Sequence, residues 1–115
     1  MGFPSPASDY TEDRLSLDEH LIEHREATFF VTAMGSMPDF GIHTGDLLVV
    51  DRAIDPTDLS IVVAVIDGEF MLRQLCHEPK GIVLRAHGEG CRDVLVDNEQ
   101  DVTLWGVVRW SIHKV

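Results

Sequence analysis

From Thr28 onward the chain is a succession of short apolar runs of strand length. They are Thr28 to Ala33, Leu47 to Asp51, Ile61 to Ile66, Glu69 to Leu75, Gly81 to Ala86, Asp93 to Val96 and Val102 to Ile112. All are rich in Val, Ile or aromatic residues and are separated by Gly, Pro and Asp, the pattern of β-strands joined by tight turns. Asp67-Gly68 between two such runs predicts a two-residue hairpin, because a type I′ turn needs φ > 0 at both central positions. On the strand that follows, side chains alternate between faces. Glu69, Met71, Arg73 and Leu75 share one face, and Phe70, Leu72 and Gln74 share the other. Arg73 between two apolar neighbours reads, on pattern alone, as a half-exposed strand arginine whose stem packs while its head reaches water.

The first 15 residues differ. Pro4 and Pro6 deny a helix and neither period appears, so 1–15 reads as an extended, flexible arm. Ser16 followed by Glu19 is a capping box ahead of Leu17, Leu21 and Ile22, which predicts a short helix over 16–24. The expected fold is mostly β: small curved antiparallel sheets over 16–115, one short helix and the N-terminal arm. A length of 115 residues allows one domain.

Charge narrows the function. Nine Lys and Arg stand against 20 Asp and Glu, a net charge of −11. The phosphate backbone repels such a surface, so direct DNA binding is not expected and a role near DNA would run through another protein. The longest apolar run, Ile61 to Ile66, is far too short to span a bilayer. With no secretory pattern at the start, the cytoplasm is the expected compartment. Cys76 and Cys91 read as reduced thiols. There is no CxxC, and His77, His87 and Cys91 lack zinc-ligand spacing, so no metal or other cofactor is expected.

An ordered set of motifs carries a resemblance. GFPSPASDY is followed by Arg14, then TFFVTA, Gly35-Ser36-Met37, Gly41-Ile42, the run Gly45 to Asp51, Asp67-Gly68-Glu69-Phe70, and Leu104-Trp105-Gly106-Val107-Val108. Together they resemble the UmuD and MucA family, relatives of the LexA repressor's C-terminal peptidase domain, over nearly the whole chain. The resemblance implies a LexA/UmuD-type β domain and, in the family, autocleavage by a Ser–Lys dyad. A Ser hydroxyl is a poor nucleophile until a base takes its proton. Lys serves as that base only when burial makes it neutral.

By the resemblance, Ser36 occupies the nucleophile position and Arg73 the general-base position. The Ser-Met pair is kept, but the residues before it are Met34-Gly35 instead of Gly-Asp/Glu. Guanidinium stays protonated in proteins, so an arginine there is no base at neutral pH. The two lysines, Lys80 and Lys114, do not match the family position. The family's Pro-x-Asn segment reads Ala86-His87-Gly88, and its downstream aromatic reads Cys91. In UmuD the cleaved bond precedes the Gly of GFPSPA; here Gly2 follows Met1, so the chain is expected to start where the processed form starts.

The resemblance implies a binding module: a homodimer that partners a UmuC-class translesion polymerase in SOS mutagenesis, with the RecA filament and the sliding clamp as further contacts. The arm is expected to contribute to such contacts. The alternative is a surviving LexA-like Ser peptidase with Ser36 as nucleophile and a relocated base among His43, His77 and Lys80. A third reading, the effector half of a phage-type repressor, is disfavoured by the absence of a helix-turn-helix and by the acidic charge.

Overall fold

The computed structural model describes residues 16–115 apart from 89 and 98; the arm expected over 1–15 lies outside the described residues. Helix α1 spans Leu17–Leu21 and is capped as expected, with the Ser16 side chain accepting the Glu19 N–H at 3.4 Å. It is shorter than predicted. Ile22 is already extended, and a 3₁₀ turn at Arg25–Ala27 follows. The chain leaves the helical path where His24 Nδ1 meets Asp51 Oδ2 at 2.6 Å, tying the helix to the sheet.

Seven strands follow: β1 Thr28–Thr32, β2 Leu47–Asp51, β3 Ile61–Ile66, β4 Glu69–Glu78, β5 Gly81–Arg85, β6 Val94–Leu95 and β7 Val102–Ile112. They pair antiparallel throughout in the order β1-β2-β7-β3-β4-β5-β6, one continuous curved sheet. The turn between β3 and β4 is the predicted one, with Asp67 at φ 50° and Gly68 at φ 86°.

Strand β3 (Ile-Val-Val-Ala-Val-Ile) is a continuous apolar run because both of its faces are covered. Val63 joins a core cluster with Ala33, Met37, Ile42, Leu48 and Val50. Val62, Ala64 and Ile66 join a second cluster with Leu75, Leu84 and Val107. Two irregularities bend β7 between these clusters. Its pairing jumps from Trp110 to Val108 opposite β2, and from Gly106 to Leu104 opposite β3, leaving Arg109 and Trp105 as extra residues. Such bulges sharpen local twist. At the bend Gly106 is obligatory for a close approach: a Cβ there would lie 2.6 Å from Val50 Cγ1 and 3.4 Å from the Asp51 carbonyl oxygen.

Candidate active-site groove

The segment between β1 and β2 is built around Met37, which is buried and exchanges backbone hydrogen bonds with Ile42 (2.9 and 3.2 Å). A 3₁₀ turn at Pro38–Phe40, closed by Gly41 at φ 74°, returns the chain. With Met37 anchored in the core, Ser36 stands exposed just outside it. Ser36 lines a groove of about 800 Å³ whose floor and walls include Val31, Leu48, Val63, Phe70 and Trp105. Phe70 and Phe29 both lie against the Trp105 ring, at centroid distances of 5.9 and 5.4 Å.

Arg73 lines the same groove. The structure corrects the sequence reading of its exposure: Arg73 is 8% exposed, buried rather than half-exposed. The reason lies in the strand edges. Leu75 turns its N–H and C=O toward Ser60 and Leu59 on the β3 side. By alternation along the ladder, the Leu72 carbonyl then faces away from β3. Strand β5 covers β4 only from Gln74 onward, so that edge is open at Leu72. The Arg73 side chain curls over the open edge, donating from Nη1 to Leu72 O at 2.8 Å and from Nη2 to Met71 Sδ at 3.4 Å. Its Nε is buried without a hydrogen-bond partner among the described residues. Among the described residues, no carboxylate oxygen lies within the 4.0 Å of an ion pair with Arg73.

The opposite wall is the segment after β5, at His87, Gly88 and Cys91. Gly88 packs onto the Ser36 loop, where a Cβ would stand 3.4 Å from the Ser36 carbonyl oxygen and 3.5 Å from Cys91 Sγ. His87 stacks edge-on against Phe40 at 4.9 Å and meets Gln74 Oε1 through Nε2 at 2.8 Å. Gln74 Nε2 donates to Leu59 O, which orients the amide so that Oε1 accepts. Neutral His87 is therefore protonated on Nε2, and Nδ1 keeps its lone pair.

Ser36 and Arg73, named from the sequence, are thus brought to one groove. His43, His77 and Lys80, the candidates for a relocated base, are not among its lining residues. His77 sits on β4 with its N–H on Asp58, and Lys80 lies in the β4–β5 turn. Sequence reasoning did not place His87 in the groove. The one signal available was its position in the drifted Ala86-His87-Gly88 segment.

An antiparallel β domain with Ser36 and Arg73 lining one largely apolar groove fits a LexA-type peptidase scaffold. The Peptidase S24-like family model matches residues 1–109, and the chain belongs to that family. Within it the chain belongs to the UmuD-like SOS mutagenesis proteins. It is 44% identical to the protein SamA of Salmonella typhimurium over 98% of this chain and 79% of that one. It is 38% identical to MucA of Escherichia coli, covering 96% of this chain and 77% of the relative. A LexA repressor of Photobacterium profundum is 32% identical over 92% of this chain and 56% of its own length. Among the described residues no helix is long and apolar enough to cross a membrane.

Proposed function

We propose that this chain is a pseudo-peptidase: a cytoplasmic, homodimeric, non-catalytic subunit that partners a UmuC-class translesion polymerase in SOS mutagenesis. The observation that carries the reading is Arg73, a buried arginine lining the groove of Ser36, bonded to a carbonyl and a thioether and paired with no acid among the described residues. A guanidinium holds its proton and has no lone pair to offer, so Ser36 keeps its hydroxyl and gains no nucleophilic strength. What survives is the scaffold and its surfaces. The polymerase, the RecA filament and the sliding clamp come to this reading from the family, and the acidic charge favours protein partners over direct DNA contact.

The relocated-base reading has one observation in its favour: His87 lines the groove of Ser36, and its contact with Gln74 is made through Nε2, leaving Nδ1 without that partner. One assay separates the two. The chain is incubated with a tagged substrate bearing the family's cleavage sequence, at pH 7 and near pH 10. No cleavage is expected at either, since alkali frees a lysine but not an arginine. Cleavage that disappears in Ser36→Ala would overturn the pseudo-peptidase reading, and its further loss in His87→Gln would identify the base.

A further inference from the structure

A second cluster of chemistry-bearing side chains lies away from the groove, where the loop entering β2 meets the end of β7. Asp46 is buried and both of its carboxylate oxygens are engaged. Oδ1 is 2.6 Å from His113 Nδ1, while Oδ2 accepts the His43 N–H at 2.8 Å and the Ser111 hydroxyl at 3.1 Å. His43 Nδ1 stands 3.4 Å from Oδ2, and the two imidazoles face each other at 4.6 Å. One ligand atom from each of His43, Asp46 and His113 can be chosen so that all lie within 4.8 Å of one another.

We propose that His43, Asp46 and His113 form a binding site for a borderline divalent transition ion of the zinc class. Two imidazoles and one carboxylate are a donor set for such ions, whereas calcium and magnesium take oxygen donors. The two separations to Asp46 are near what is needed, and the two imidazole ligand atoms, within 4.8 Å of each other, must come to about 4 Å or less around one ion. Nitrogen and oxygen ligands about 2.0–2.1 Å from an ion stand roughly 3.0–3.4 Å apart when adjacent. The His43–Asp46 separation, 3.4 Å, already falls there, and the 2.6 Å His113–Asp46 contact opens by roughly 0.4–0.8 Å as the ion replaces its proton. Both histidines are half exposed, at 52% and 51%, so their rings are reachable and free to adjust. Ser111 and the His43 N–H hold the carboxylate in place as outer-shell partners do in metal sites.

Occupancy would reach further than the three ligands. Asp46 O accepts the Ala33 N–H and Ala33 O accepts the Gly45 N–H, both at 2.8 Å, so this seam closes the loop that carries Ser36. An ion joining it to β7 stabilises the native chain by mass action.

The test is calorimetric titration of the full chain with zinc chloride at neutral pH, alongside thermal unfolding with and without zinc. One ion per chain is expected, with a zinc-dependent rise in Tm. His43→Gln and His113→Gln should each weaken binding about tenfold or more and abolish the rise. Cys91→Ser, which removes an exposed thiol outside the cluster, should leave both unchanged. Three results would each overturn the site: no saturable binding up to about 1 mM zinc, affinity retained in full by either histidine variant, or binding lost in Cys91→Ser.

Discussion

Arg73 combines two features that rarely coexist: the residue is buried, and among the described residues no acid stands within ion-pair distance of it. Removing a charge from water without a partner is costly, and an apolar residue of similar length often replaces such a group without loss. Arg73→Met should therefore leave stability unchanged or raise it by about 1–4 kcal/mol, read from the urea midpoint at constant slope. A clear fall would show that the Leu72 and Met71 contacts outweigh the desolvation. Arg73→Lys asks a different question, since a lysine there is flanked by Met71 and Leu75 on its own face and can lose its proton. Weak, alkali-stimulated cleavage in trans is expected, limited by the altered Met34-Gly35 turn, which bears on the N–H groups that would hold the oxyanion. His24 carries the residue-scale pH dependence. Its hydrogen bond to Asp51 raises its pKa above 6.5, against the desolvation that lowers it. A group whose folded pKa is raised stabilises fully below its unfolded value and loses that contribution as pH rises through the folded one. Thermal stability should accordingly decline from pH 6 to pH 8, and His24→Gln should flatten the decline.

At the scale of elements, β7 organises the sheet, and its two bulges let one strand serve both core clusters. Gly106 sits in the narrowest part of that arrangement. Its missing side chain is what allows Val50 to pack, since a methyl would start 2.6 Å from Val50 Cγ1 and 3.3 Å from Arg52 Cγ. Gly106→Ala should cost about 1–3 kcal/mol, the usual penalty of overpacking a filled core. Chemical denaturation measures it, and a neutral result would mean that β7 shifts cheaply. Arg52, whose Nε donates to Trp105 O and whose guanidinium lies 4.6 Å from the Trp105 ring, borders the same place.

Across the whole molecule, registers β1–β2 and β2–β7 place Phe30, Leu47, Trp110 and Ile112 on one face. All four are more than a third exposed. Neighbouring apolar side chains of this kind mark interaction surfaces, and they support the homodimer of the proposed function. Light scattering at micromolar concentration and moderate salt should give twice the chain mass, and Ile112→Asp should shift it toward the monomer. Salt matters because a chain of net charge −11 repels its copy, and added ions screen that repulsion. A monomer at every salt concentration would remove the dimer.

Much of this was legible from neighbouring residues alone. The alternation of β4, the Asp67-Gly68 turn and the Ser16 cap depend on side chains a few positions apart, so local physics determined them. That position 73 offers no titratable base near neutral pH also follows from the sequence, through the chemistry of arginine. The tertiary structure decided the rest. Burial of Arg73 hinges on β5 covering β4 only from Gln74 onward, a fact of strand pairing that no periodicity along β4 contains. His87 enters the groove because the chain leaving β5 crosses to the Ser36 loop. His43, Asp46 and His113 meet only because β2 and β7 are neighbours in the sheet, which joins residues 67 positions apart. Sequence encodes each strand through its near neighbours, whereas strand order and bulges decide which loops and strand ends face one another.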